Sequence, residues 1–221
     1  MSIPQTEHSS IPRAKVLVTA GPTIEPLDPV RFISNRSTGL MGYKIAAECA
    51  VRGFEVCLVS GPVALEPPRG VETVNVLTAI EMRDVVLRKV EEADCLVMTA
   101  AVCDFRPYRA EPGKIKKKRG LTLELVRNPD ILADVGRRKG LVKVGFALET
   151  EDAVTNAAEK MAAKDLDLVV VNMKTGENDP FGPGDKTVSI IDTEGRISEF
   201  GDKTKEELAA IIVDRMEELI G

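Results

Sequence analysis

The chain has 221 residues, 43% hydrophobic and 29% charged, with a formal net charge of −5. That mix fits a water-soluble α/β domain large enough for a full core and argues against a general nucleic-acid binder. No apolar run approaches the roughly 20 residues that span a bilayer, and the one histidine, His8, removes His-based catalysis and His metal sites from consideration.

Residues 1–13 are polar and hold two prolines, so they read as a disordered tail and not as a signal peptide. The apolar run 15–20 is the first expected strand, broken by Gly21-Pro22-Thr23. The segment 42–52 has helical spacing of Ile45, Ala46, Cys49 and Ala50 and stops at Gly53. Strands are expected at 55–60, ended by Gly61-Pro62, and at 71–77. Thr78, with Glu81 three residues on, forms a capping box for a helix to about residue 93. The unbroken apolar run 96–101 has the character of a buried parallel strand. A short strand at 121–126 follows, then a helix opened by Asn128-Pro129-Asp130 and running to about 139.

A buried strand is expected at 142–148, a helix at 151–164 and a strand at 168–172. A hairpin turns at Glu194-Gly195 between 187–192 and 196–200, and an amphipathic helix spans 203–219. Strands alternating with helices imply a Rossmann-like, doubly wound, mostly parallel sheet with helices on both faces and a short antiparallel hairpin at one edge. Residues 14–221 read as a single α/β domain. Cys49, Cys57, Cys95 and Cys103 lack metal-type spacing and read as reduced thiols of a cytoplasmic protein.

Ligands of such sheets bind at the carboxyl ends of the strands, and four polar clusters fall there. The first joins Gly21-Pro22-Thr23 to Asn35-Arg36-Ser37-Thr38-Gly39-Leu40-Met41-Gly42. Glycines and hydroxyls at a helix start make an anion site, because the first helical turn has unpaired N–H groups and a partial positive charge. The spacing is neither a dinucleotide fingerprint nor a Walker loop. The second cluster is 100–107, with Asp104 just past a buried strand, where a carboxylate needs a partner or a cap to fill. The third is Gly145-Phe146-Ala147-Leu148-Glu149-Thr150, and the fourth is Asn172 with the loop 176–185.

The run Lys114-Ile115-Lys116-Lys117-Lys118-Arg119 follows Pro107, Pro112 and Gly113. It reads either as a solvated loop or as a flexible flap, residues 107–120, that closes lysines over a polyphosphate. Lys160 and Lys164 share a helix face and by themselves read as surface charge.

The clusters at 33–42, 100–105 and 145–150, with Lys114-Ile115-Lys116-Lys117 and Asn128-Pro129-Asp130-Ile131, occur in one order over nearly the whole chain. In that order they resemble the phosphopantothenate–cysteine ligase family of coenzyme A biosynthesis. The resemblance implies a ligase that joins 4′-phosphopantothenate to L-cysteine through an acyl-cytidylate, using CTP and releasing pyrophosphate and CMP. It implies catalytic roles for Asn35 and Lys114, and nucleotide contacts from Asp104, Lys114, Pro129, Asp130, Ile131, Leu132, Phe146, Lys160 and Lys164. The anion site then comprises Gly21, Ser37, Thr38, Gly39, Gly42 and Ala100. Mg²⁺ accompanying the triphosphate, a homodimer, and a separate or formerly fused decarboxylase are further implications.

Three positions depart from the family pattern: Cys103 replaces a small residue, Leu40 a lysine and Met173 an aspartate. An ATP-using ligase of the same family remains an alternative, as does a nucleotide-binding module without activity. A Rossmann oxidoreductase fits less well, because Gly61-Pro62 follows the second strand where an acidic residue is needed.

Overall fold

A computed structural model describes residues 14–116, 120–149, 153–173, 182 and 184–221. In chain order the elements are β1 (Lys15–Ala20), β2 (Glu25–Pro26), β3 (Phe32–Ile33), α1 (Leu40–Arg52), β4 (Glu55–Ser60), β5 (Val71–Asn75), α2 (Ala79–Lys89) and β6 (Cys95–Met98). There follow β7 (Phe105–Pro107), β8 (Leu125–Arg127), α3 (Ile131–Val135), β9 (Val142–Glu149), α4 (Ala153–Lys164), β10 (Leu168–Met173), β11 (Lys186–Asp192), β12 (Ile197–Lys203) and α5 (Lys205–Ile220).

Eight strands form one sheet in the order β12-β11-β10-β9-β6-β1-β4-β5. The six strands from β10 to β5 run parallel, and β11 and β12 add an antiparallel edge. The fold is therefore the Rossmann-like α/β architecture that the alternation implies. Strand residues alternate between the two faces. Val16, Val18 and Ala20 of β1, Cys95 and Val97 of β6, and Leu168 and Val170 of β10 pack with α1 and α5 in one core. Leu17, Leu96, Met98, Val169 and Val171 pack with α2, α3 and α4 in the other. This period of two, buried on both sides, is why the strands read as continuous apolar runs.

The chain reverses direction across the sheet between β1 and β6, which are neighbours although β4 and β5 intervene in sequence. A crevice opens at the carboxyl ends of two such strands. Here the ends are stitched by backbone: Ala101 N–H donates to Gly21 O at 2.9 Å, and Thr23 N–H to Ala101 O at 3.2 Å.

Local boundaries differ from expectation where caps decide. Helix α1 starts at Leu40, two residues before the expected start at 42, because Gly39 at φ 77° turns the chain into it. Thr78 does cap α2 by accepting from Glu81 N–H, but Glu81 answers to Leu77 N–H at 2.7 Å, and a 3₁₀ turn at Val90–Glu92 ends the segment early. The helix expected to reach residue 139 stops at Val135, because Gly136 leaves helical geometry with φ 61°. The strand expected at 121–126 is shifted to β8 and pairs with β7, a partner that has no apolar pattern of its own. β2 and β3 form a further two-stranded ladder inside what reads as a long connection.

Lys143 is wholly buried near the start of β9. Its ammonium donates to Gly136 O at 2.9 Å, to Lys164 O at 3.2 Å and to Asp165 Oδ2 at 3.2 Å. A cation placed on the carbonyls that end two helices is favourable, and it fixes α3 and α4, both of which border the crevice.

Gly42 lies in the first turn of α1, where the helix touches the sheet. A Cβ there would collide with Thr99 Oγ1 and would meet Ala20 Cβ at 2.6 Å and Thr19 O at 3.0 Å. Two of these contacts are with sheet atoms that cannot swing away. Gly42→Ala is expected to push α1 off the sheet and cost about 1–3 kcal/mol in chemical denaturation. An unchanged denaturation midpoint would show that the helix start has room.

Candidate active site

The crevice has two halves. One, of about 430 Å³, is lined by the start of α1 (Ser37, Thr38, Gly39 and Gly42) and reaches Asn172, Lys186 and Lys205. The other, of about 510 Å³, is lined by Cys103, Arg127, Asn128, the segment from Pro129 to Leu132, and Lys164. Ala100, Val102, Asp104, Phe146 and Lys160 border both. The halves are thus contiguous, with Phe146 and Lys160 between them.

The first half is built as an anion receptor. Helix α1 has no side-chain cap and no acidic residue in its first turn. Its leading N–H groups and the positive end of its dipole therefore face the crevice without internal neutralisation. Thr38 Oγ1 and Ser37 Oγ only brush the backbone, accepting from Leu40 N–H at 3.5 Å and from Gly39 N–H at 3.3 Å. Gly21 and Gly39 meet behind the helix start: a Cβ on Gly39 would sit 3.2 Å from Gly21 Cα and 2.8 Å from Val63 Cγ1. Gly21 is buried and lines neither half, so its contribution to the anion site is close packing behind it.

Asn35 is exposed and stands outside the lining of both halves. Its Nδ2 donates to Ala101 O, and its Oδ1 accepts from Ser37 N–H at 3.0 Å. The side chain so joins the end of the β6 region to the anion loop. An amide nitrogen has two hydrogens, and one remains for a ligand.

The second half is braced by side chain to backbone bonds. Asn128 Nδ2 donates to Cys103 O at 2.8 Å, and Asn128 N–H donates to Asp104 O at 2.8 Å. Thr23 Oγ1 accepts from Cys103 N–H at 3.0 Å. Asp130 caps α3 by accepting from Ala133 N–H at 3.1 Å, and it also forms an ion pair with Lys164. Burial pulls the Lys164 ammonium below the usual lysine range. Lys160 Nζ donates to Phe146 O at 2.7 Å. Asp104 is exposed, so the desolvation expected of a carboxylate at that position is absent.

Of the sequence-derived nucleotide residues, Asp104, Pro129, Asp130, Ile131, Leu132, Phe146, Lys160 and Lys164 come together. Lys114 does not join them. It lines a separate cavity of about 500 Å³ with Leu27, Tyr108, Ile115, Lys116 and Glu124. Lys117, Lys118 and Arg119 lie outside the described residues, as do Thr150 and most of the loop 176–185. Cys103 and Leu40, two of the unusual positions, both border the crevice.

Lys186, Lys205, Arg127 and Asn128 gain places in the lining that no local pattern announced. Lys186 and Lys205 arrive from the antiparallel edge and the last helix, so only topology brings them to residue 37. Asn128 was legible as a helix opener and as part of the motif Asn128-Pro129-Asp130-Ile131, but not as a lining residue.

Among the described residues, no group of three or more His, Cys, Asp or Glu side chains could hold a metal ion. No helix among them is long and apolar enough to cross a membrane. All four cysteines are free, and burial pushes the Cys49 thiol up to about 12 and the Cys57 thiol up to about 11.

Fold and crevice together define a Rossmann-like domain whose switch point carries a helix N-terminus without a side-chain cap and several lysines. The family model described as the DNA/pantothenate metabolism flavoprotein C-terminal domain matches residues 11–220, and the chain belongs to that family. The coenzyme A biosynthesis bifunctional protein CoaBC of Bacillus subtilis (strain 168) is 44% identical over 183 residues, 81% of this chain and 45% of that protein. A protein named cysteine/cysteine sulfinic acid decarboxylase, from an unknown prokaryotic organism, is 41% identical over 210 residues, 93% of this chain and 58% of its own length. The chain thus spans about half the length of the curated relatives it matches. The crystal structure of the C-terminal domain of a CoaBC protein superposes with a TM-score of 0.81 at 36% identity, covering 94% of this chain and 95% of that one.

Proposed function

We propose that the chain is a phosphopantothenate–cysteine ligase that activates its carboxylate substrate with CTP. The observation that carries this reading is the divided crevice. A helix N-terminus suits the phosphate of phosphopantothenate. The half bounded by Pro129 to Leu132, with Lys160 and Lys164, suits a nucleotide. The two meet at Ala100, Asp104, Phe146 and Lys160, so a carboxylate in one half and an α-phosphate in the other can be neighbours.

In this mechanism a carboxylate oxygen attacks the α-phosphorus, the bond to the β-phosphate oxygen breaks, and pyrophosphate leaves. The cysteine amine then attacks the acyl carbon of the cytidylate. CMP leaves and the amine loses a proton. Lys160 and Lys164 exchange part of their bonding to Phe146 O and Asp130 for nucleotide oxygens. Asn35 Nδ2 donates its second hydrogen where charge develops on the acyl phosphate, and Lys114 counters charge at the α-phosphate from the 107–120 flap. Bound with the triphosphate, Mg²⁺ would neutralise part of its charge, the triphosphate itself supplying most of the oxygen ligands. The reading places the enzyme in the cytoplasm, with a decarboxylase as the consumer of its product.

A homodimer belongs to the same proposal. Phe32, Phe105, Tyr108 and Leu125, on and beside the small ladders β2–β3 and β7–β8, are between 42% and 69% exposed. That is apolar surface of the kind a second copy covers. Light scattering is expected to give twice the chain mass, and Phe105→Glu to halve it. A wild-type monomer at micromolar concentration would remove this part of the reading.

The direct test is pyrophosphate release from phosphopantothenate and cysteine with CTP or ATP. CTP is expected to support turnover and ATP to support little. No release with either nucleotide overturns the ligase.

Asn35→Asp is expected to leave the fold intact and slow the reaction at least about 100-fold, since a carboxylate repels the anion and removes the donor. Wild-type turnover at saturation would exclude Asn35 as the catalytic amide.

Lys114→Gln is expected to lower the pyrophosphate burst rate roughly 100- to 1,000-fold with little change in nucleotide affinity. A normal burst with a raised KM would reduce Lys114 to general electrostatic attraction.

A further inference from the structure

Asp28 lies in the turn between β2 and β3, and its carboxylate has no solvent exposure. Four N–H bonds converge on it. The backbone of Val30 and of Arg31 donates to Oδ1 at 2.8 Å each. Arg31 Nη1 donates to Oδ2 at 2.8 Å, and the backbone N–H of Ile115 to the same oxygen at 3.0 Å. Arg31 Nη1 also donates to Ile115 O at 3.2 Å. The Asp28–Arg31 pair therefore holds both the N–H and the C=O of the residue after Lys114. A further strut, Glu111 N–H to Leu27 O at 2.9 Å, secures the same two segments.

A buried carboxylate on a surface turn costs desolvation that must be offset. Capping the turn accounts for Oδ1 alone. Oδ2 accepts from the Arg31 guanidinium and also from a segment 87 residues away in sequence. The bond from Ile115 N–H is the main cause that holds the Asp28 carboxyl down to about 2, against burial, so the group stays anionic at every pH where the protein would work.

The clamp also has a second end. Four residues beyond Arg31, past β3, Asn35 is pinned to Ala101 O, and Ser34 Oγ between them donates to Thr23 O at 2.8 Å. Asp28 thus connects the lysine segment to the segment after β3 that carries Asn35.

We propose that Asp28 is a positioning residue that sets the backbone of Lys114 relative to Asn35, so that the two groups act as one unit. The inference rests on the ligase reading for its catalytic consequence and on the hydrogen bonds alone for its structural one.

Two variants test it. Asp28→Asn keeps the size but turns an amide hydrogen toward incoming N–H groups. Ile115→Pro removes the distant donor and leaves the 28–31 turn intact, which keeps the test open if the first variant folds poorly. Without substrates, amide exchange across residues 111–116 is expected to speed up roughly 10- to 100-fold in either variant, the loss of one charged hydrogen bond. Amides of β1 and β6 should keep their wild-type rates. In the ligase assay both variants should lower the pyrophosphate burst rate by a similar factor, with the nucleotide KM within about twofold of wild type. The Asp28→Asn/Lys114→Gln double variant should be no slower than Lys114→Gln alone. Unchanged exchange at 111–116, or rate losses that multiply in the double variant, overturns the proposal. Wild-type protein that releases no pyrophosphate with CTP or ATP overturns the ligase reading and the catalytic half of this one. The exchange measurement then still decides whether the clamp exists.

Discussion

The closeness of α1 to the ends of β1 and β6 controls everything at the crevice. A helix can present its leading N–H groups to a ligand between two strands only if its first turn comes within van der Waals contact of the sheet. Gly42 supplies that contact, with Thr99 and Ala20 occupying the space a side chain would take. Gly21 and Gly39 then meet backbone to backbone behind it. With the helix set, Ala101 O becomes a fixed acceptor for two groups, the Thr23 N–H and the Asn35 amide. The anion loop, the strand ends and the wall around Cys103 inherit their positions from that single approach.

The chemistry of the two halves differs because their backbones differ. One half is a helix start, where the attraction is for a compact anion and comes from aligned peptide dipoles. The other is a loop wall braced by Asn128 and Thr23, with lysines whose carbonyl and carboxylate partners keep them extended. Lys143 supports this second half from below by bonding to the carbonyls that end α3 and α4. A buried ammonium in that place is tolerable because three acceptors surround it.

Much of the fold was legible in the sequence because strands buried on both faces leave long apolar runs. β1 and β4 fall where the runs place them, whereas α5, expected from 203, starts at Lys205, where a Thr204–Glu207 capping box sets it. Short ladders were not legible. β2, β3 and β7 are two or three residues long, too short to show an apolar period of their own. The helix after Asp130 was overextended because Gly136, at φ 61°, ends it before the polar run Arg137-Arg138-Lys139. The members of the nucleotide half were readable as a group only through the family resemblance, since Lys160 and Lys164 by themselves read as surface charge. Lys186 and Lys205 were not, since each is one lysine among many until β11 and α5 fold across. Asp28 was missed because its partner is the backbone of a remote residue, and a backbone group leaves no trace in composition.

Lys205 opens α5, and α5 packs its Leu208, Ile212 and Met216 into the same core as α1. The helix that begins the anion site and the helix that closes its far wall are therefore held by one apolar seam, although they stand at opposite ends of the chain. During synthesis the first strands and α1 can emerge and pair long before residue 205 leaves the ribosome. Until it does, the exposed seam is an adhesive face and the pocket lacks part of its cationic wall. The cationic wall of this half of the crevice is therefore completed late in synthesis, by Lys205, which follows every strand of the sheet.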